Sequence, residues 1–206
     1  DEYMGEYVPP SAERLKWISG FSGSAGCAII LDDKAVVMSD GRYTIQLKQQ
    51  VDGDCFELAD STQIPPAEWL SENADDKIIG FDPRLHTPAE IQKWEEAGVT
   101  LKALAQNPLD EVWEGRPPAP LAKAVIFPAQ FAGQSADEKI DTIAAQIKQD
   151  GAQCAVIALP DSIAWLLNIR GNDVAHIPVP LSQAIIRADG SVRLFIDAAK
   201  VGDDVR

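Results

Sequence analysis

The run Ser19-Gly20-Phe21-Ser22-Gly23-Ser24-Ala25-Gly26 leads directly into two short apolar stretches, Cys27 to Leu31 and Ala35 to Met38, and the second ends in Asp40-Gly41-Arg42-Tyr43. Glycines at this density allow positive φ or close backbone approach, and the paired apolar stretches read as a strand hairpin carrying two polar loops. This narrows the chain to a particular kind of α/β module.

The elements that follow keep that class. Tyr43 to Val51 predicts a short amphipathic helix, Cys55 to Leu58 a strand, and Pro65-Pro66-Ala67-Glu68 a helix opening with proline in its first turn. Lys77 to Phe81 is the next strand. Thr87-Pro88-Ala89-Glu90 then supplies a cap, a pre-organised proline and a glutamate that can close a capping box. Ile91 and Trp94 share the face of that helix, Gly98 ends it, and Val99 to Leu104 returns as a strand. Strands and helices alternating on short connections make a sheet with helices packed on it.

Asn107 to Pro120 breaks the alternation with Pro108, Pro117, Pro118 and Pro120, so the expected division is a first domain over 1–107, a linker over 108–120 and a second domain over 121–206. Trp113 is expected to anchor the linker against one domain. The second unit restarts with a strand at Ala124 to Phe127. A helix follows, opened by the capping box Ser135-Ala136-Asp137-Glu138, with Ile140, Ile143, Ala144 and Ile147 as its buried stripe and Gly151 as its stop. Cys154 to Leu159 is a strand, and Ala188-Asp189-Gly190-Ser191 joins Ala184–Ile186 to Val192–Ile196 as a hairpin. A further helix is expected to start at Ala198. The two units repeat an order of elements rather than residue identities.

Composition limits the partners. A 206-residue chain with 46% hydrophobic content buries one large core or two small ones. A formal net charge of -14 opposes a phosphate-tracking surface, so nucleic acid is not an expected partner. No apolar stretch reaches the ~20 residues needed to span a bilayer, and no membrane partner is expected. Three dispersed cysteines, Cys27, Cys55 and Cys154, fit a reducing cytoplasm, with Cys27 and Cys154 as buried thiols or, alternatively, one cysteine in an intermolecular disulfide.

Candidate chemistry is sparse. The two histidines lie in unrelated loops, where a capping or surface role is expected for His86 and a structural or surface role for His176, and no ligand-spaced motif accompanies them. The acidic pairs Asp32-Asp33, Asp75-Asp76 and Asp203-Asp204 sit beside predicted turns, where solvation explains them. Ser22 and Ser24 are followed by a strand rather than a helix, which excludes a nucleophile elbow, and no Gly-Lys-Ser/Thr closes a phosphate loop. No catalytic or metal-binding residue is therefore expected. In Asp40-Gly41-Arg42-Tyr43, Arg42 opens a helix where a cation is unfavourable, and a pair with Asp40 would offset that. The turn is either a salt-bridged lock or an arginine facing a ligand or another domain. From Ala164 to Asp173, Trp165, Leu166 and Ile169 can share a buried helical face while Asn168, Arg170, Asn172 and Asp173 gather at its end. That stretch is either a core helix with a capped exit or a polar contact surface.

Three runs, taken in order, carry a family resemblance: Asp1-Glu2-Tyr3 through Tyr7-Val8-Pro9-Pro10, then Ser19 to Gly26, then Ser39 to Tyr43. The later Asp161-Ser162-Ile163-Ala164-Trp165-Leu166-Leu167-Asn168-Ile169-Arg170-Gly171-Asn172-Asp173 adds to them. Together they resemble the two N-terminal, non-catalytic domains of long-form Xaa-Pro aminopeptidases of the aminopeptidase P type, peptidase family M24. The resemblance implies an α/β fold of two creatinase/prolidase N-terminal-like domains, each a mixed sheet flanked by helices. It implies an opening strand and helix before Asp1, and a second domain that continues past Arg206. It also implies a C-terminal catalytic domain outside this chain, holding two divalent metals, commonly manganese, and cleaving short peptides with proline second through a metal-bridged water. This region would shape the cleft and support a homodimer in the cytoplasm, with Arg42, Tyr43, Asp40, Arg170, Asn172, Asp173 and His176 as cleft or interface candidates. The chain itself would need no cofactor. Where that family often has His-Asn-Pro, this chain reads His176-Ile177-Pro178. The alternative is a stand-alone α/β binding or scaffold module.

Overall fold

A computed structural model describes residues 2–203 and Val205, so Asp1 of the opening motif and Asp204 of the last acidic pair lie outside the described residues. The chain divides into two units. One holds Glu2 and Ser11–Pro117; the other holds Tyr3–Pro10 and the chain from Pro118 onward.

In the first unit, α1 (Arg14–Ser19) stops at Gly20, whose left-handed φ of 77° lets the chain turn back and whose N–H reaches the Lys16 carbonyl. The hairpin forms as its pattern predicts: β1 (Cys27–Ile30) pairs antiparallel with β2 (Ala35–Ser39), with Cys27 opposite Met38. After α2 (Thr44–Gln50), β3 (Glu57–Asp60) lies parallel to β2, giving the order β1-β2-β3. The strand expected from Cys55 begins at Glu57 instead, because the Asp52 carbonyl takes the N–H groups of Cys55 and Phe56 into a turn. β2 is central and apolar on both faces. Val36 and Met38 join a core with Trp69, Leu70 and Val99, whereas Val37 joins Phe21, Leu47 and Val51 on the opposite side.

The rest of this unit is α3 (Pro66–Asn73), β4 (Ile78–Phe81), α4 (Pro88–Glu96) and β5 (Thr100–Ala103), with β4 and β5 parallel. The capping box at α4 is present, Thr87 accepting from the Glu90 N–H while the Glu90 carboxylate accepts from Thr87 N–H at 2.7 Å. The proline-rich stretch read as linker opens with a helix, α5 (Pro108–Val112): Pro108 takes the first-turn position where its missing N–H costs nothing, and Asn107 caps it. Trp113 beyond it stacks on Trp17 at 5.6 Å.

The second unit contains β6 (Val125–Ile126), α6 (Ala129–Ala132), α7 (Ala136–Gln149), β7 (Cys154–Ile157), α8 (Pro160–Leu166), β8 (Ile169–Arg170), β9 (Gln183–Arg187) and β10 (Val192–Phe195). One sheet runs β10-β9-β7 and β6 pairs with β8. The Ser135–Glu138 capping box opens α7, and Ile147 meets Leu166 and Ile186 in the core. Four expectations are corrected. β6 is two residues long because Ala124 N–H donates to the Lys200 carbonyl and Phe127 N–H to that of Asn168. No helix runs from Ala164 to Asp173: α8 ends at Leu166, Asn168 turns the chain with a φ of 50°, and Ile169 is buried in β8 while Trp165 is 49% exposed. Cys154 is exposed rather than buried, because Ala155 and Ile157 turn to the core and Cys154 therefore lies on the opposite face of β7. At Ala198 the chain makes only a 3-10 turn, Ala198–Lys200.

Candidate functional site

The Asp40–Tyr43 turn stands where β2 gives way to α2. Asp40 accepts from Arg42 three times: Oδ1 from the backbone N–H at 3.0 Å and from Nε at 2.9 Å, Oδ2 from Nη2 at 2.8 Å. The expected pair is thus a bidentate fork, the strongest geometry for these groups. Hydrogen bonding by the Arg42 side chain, then by its backbone, holds the Asp40 carboxyl below the usual carboxylate range. The guanidinium itself stays largely in solvent, its side chain 64% exposed. Tyr43 places its ring edge-on to buried Phe21 at 5.6 Å and its hydroxyl 2.8 Å from Ser24 Oγ, while Ser24 N–H donates to Tyr43 Oη at 3.3 Å.

The glycine loop is shaped by those rings. A Cβ at Gly23 would lie 2.3 Å from Phe21 Cζ and 2.9 Å from Tyr43 Cδ1, and one at Gly26 would lie 2.8 Å from the Met38 carbonyl oxygen. Glycine is therefore required for close approach rather than for a phosphate or a nucleophile. Ser22, at the rim, exchanges hydrogen bonds with Gln46 and Gln50 and has no histidine partner among the described residues.

The candidates of the second unit separate into two settings. Arg170 sits over the Phe127 ring, its guanidinium carbon 4.0 Å from the ring centroid, and Nη1 donates to the carbonyls of Ala164 at 3.0 Å and Ile169 at 2.8 Å. It thereby caps the end of α8. Asp173 faces inward. Its side chain is fully buried and takes Lys200 Nζ at 2.7 Å, Leu181 N–H at 2.7 Å and Ala122 N–H at 3.2 Å, so its charge is paired and its lone pairs are occupied. Asn172 is exposed beside it, and His176 is exposed with a left-handed φ of 69° and its ring edge-on to Tyr7 at 5.9 Å.

Several connected residues escape a reading by motif. Lys139 is 2% exposed; its Nζ donates to Asn168 Oδ1 at 2.6 Å and to the Trp165 carbonyl at 2.9 Å and sits 4.6 Å from the Trp165 ring. Burial, then the nearby Arg170 charge, lowers its pKa. Its one sequence signal is position: Lys139 lies four residues before Ile143 and eight before Ile147, on the buried stripe of α7. In the first unit, buried Arg14 forks onto Asp110 at 2.7 and 2.9 Å, and Arg116 reaches the same carboxylate at 2.8 Å. Asn107 ties in Asp82, 25 residues away, at 3.2 Å. No local pattern announces contacts at such separations. His86, expected as a cap or surface group, is half-buried between the rings of Phe81 and Trp94, and burial lowers its pKa.

Among the described residues, no group of three or more His, Cys, Asp or Glu side chains is placed to hold a metal ion, and no helix is long and apolar enough to cross a membrane. Both units match known families. A model of the Creatinase/Prolidase N-terminal domain fits residues 7–112, and a second model of the same description fits residues 115–206. The chain belongs to the creatinase/prolidase N-terminal domain family.

This creatinase-type chain is 38% identical to the Probable Xaa-Pro aminopeptidase P of Sordaria macrospora, a match covering 100% of the chain and 35% of that relative. The corresponding protein of Coccidioides posadasii is also 38% identical, again over 100% of the chain and 35% of the relative. Among solved structures, the X-prolyl aminopeptidase of Caenorhabditis elegans, a cytosolic enzyme with a di-nuclear active site, superposes with a TM-score of 0.94 at 30% identity. That match covers 100% of this chain and 35% of the worm enzyme. The chain thus spans about a third of the length of the relatives it matches.

Proposed function

We propose that this chain is the accessory N-terminal region of a dinuclear-metal Xaa-Pro aminopeptidase, with hydrolysis carried by a C-terminal domain of the same polypeptide. One observation carries this reading: the whole chain follows the worm enzyme at a TM-score of 0.94 while accounting for 35% of it. In this reading the complete protein is a cytoplasmic homodimer that uses two divalent ions, manganese by preference, to remove the residue ahead of proline from short peptides. Domains over 1–107 and 121–206, joined by 108–120, narrow access to the cleft and support dimer contacts.

The side-chain geometry suggests a division of labour. Arg42, steered by Asp40 and Tyr43, and Arg170, with exposed Asn172 and His176, present polar groups to a peptide, the catalytic domain or a neighbouring subunit. Asp173 acts indirectly, because its ion pair with Lys200 fixes the loop that carries Asn172. The test compares the 206-residue chain, the complete protein and the complete protein lacking this region on peptides with proline second and manganese present. The expected result is no turnover by the chain alone and turnover by the complete protein that loses size discrimination without it. Arg170→Ala in the complete protein should raise KM or weaken the dimer with both metals retained. Turnover by the isolated chain, or a reading frame lacking a metal-binding domain, would overturn the proposal.

A further inference from the structure

The glycine loop and the Asp40–Tyr43 turn are separate segments, yet one residue ties them together. Tyr43 meets the loop at three points: its ring against Phe21, its hydroxyl against Ser24 Oγ, and the same hydroxyl accepting from Ser24 N–H. The absence of a side chain at Gly23 allows this, since a Cβ there would collide with both rings. On its other side Tyr43 adjoins Arg42, whose guanidinium carbon is 5.3 Å from the tyrosine ring and whose fork with Asp40 completes the turn. An exposed arginine on a short turn ordinarily samples many rotamers, and holding it in one costs side-chain entropy. Here Asp40 takes the Nε and Nη2 edge and the Tyr43 ring borders the guanidinium, while the hydroxyl fixes the ring to the loop.

We propose that Tyr43 is the positioning residue for Arg42: anchored to Phe21 and Ser24, it holds the turn against the glycine loop so that the Arg42–Asp40 fork meets a peptide in one orientation. The inference rests on the proposed aminopeptidase function for its consequence but not for its geometry. It also gives the serine of the loop a role. Ser24 is the anchor of a tyrosine rather than a nucleophile.

Two measurements test it, one on this chain and one on the complete protein. Tyr43→Phe keeps the ring on Phe21 and removes only the hydroxyl. In the 206-residue chain it should speed hydrogen exchange at the Ser24 amide several-fold with little change in melting temperature. In the complete protein, Tyr43→Phe and Ser24→Ala should each raise KM about fivefold with kcat and metal content unchanged, and the double variant should be no worse than either single one. A purely structural tyrosine would instead lower the melting temperature and leave KM in place, which would overturn the proposal. Unchanged exchange at Ser24 would also overturn it, as would an unchanged KM for Tyr43→Phe alongside a raised KM for Arg42→Ala. An unchanged KM for Arg42→Ala would instead sink the cleft role of that arginine, leaving the exchange result to decide the tether.

Discussion

Asp82 follows β4 directly and is buried, a setting that by itself would favour its neutral form. Burial is outweighed by hydrogen bonds from the Arg84 side chain and backbone and from Asn107, and the carboxyl is brought down to about 2. Because the folded pKa lies below the unfolded one, this group adds stability that is complete above about pH 4 and fades as the pH falls through about 2. Arg84 is half exposed, so solvent trims the contribution to about 1–2 kcal/mol. Asp82→Asn should therefore lose that amount in urea melts at pH 7 and converge with the unsubstituted chain near pH 2; an equal gap at both pH values would refute the assignment. The fork at Asp40 was readable in the sequence because its partner lies two residues away. The Arg14–Asp110 and Asp82–Asn107 contacts were not, because only the finished fold brings them together.

At the scale of elements, both capping boxes, the hairpin and most strand positions follow from local chemistry. Thr87, Ser135 and the prolines at helix starts act within one turn of the chain, where sequence spacing is spatial spacing. Periodicity misled at the exit of α8. The spacing of Trp165, Leu166 and Ile169 suits a continuing helix, but Asn168 adopts a left-handed conformation and is held there by distant groups. Lys139 from α7 binds both the Trp165 carbonyl and Asn168 Oδ1, and Asn168 Nδ2 donates to the Gln134 carbonyl at 2.8 Å. A tertiary contact thus overrides a helical pattern. Lys139→Met keeps the aliphatic stem beside Trp165 and takes the donor from the buried Asn168 Oδ1, while the Trp165 carbonyl keeps its backbone donors, so it should destabilise the chain by about 1–3 kcal/mol. A urea midpoint that does not move would show that the clamp contributes nothing.

For the molecule as a whole, composition and the order of elements were enough to predict two α/β units, and the family resemblance rests on motifs that each unit carries separately. What no composition conveys is which strand edges are left open. In the second unit β7 borders its sheet, with Cys154 exposed and Val156 73% exposed along it. An unpaired edge bearing an apolar side chain is a template for a second strand, and a net charge of -14 opposes such pairing only within a Debye length of about 8 Å at physiological salt. For anyone storing the purified chain, that border becomes a matter of shelf life. Concentrated stocks kept without reductant and in high salt should accumulate a covalent dimer joined at Cys154, visible by light scattering and on non-reducing gels. Cys154→Ser should abolish the covalent species while Cys55→Ser leaves it, and Val156→Lys should slow its formation. A stock that stays monodisperse for weeks in high salt would mean that the border is already guarded.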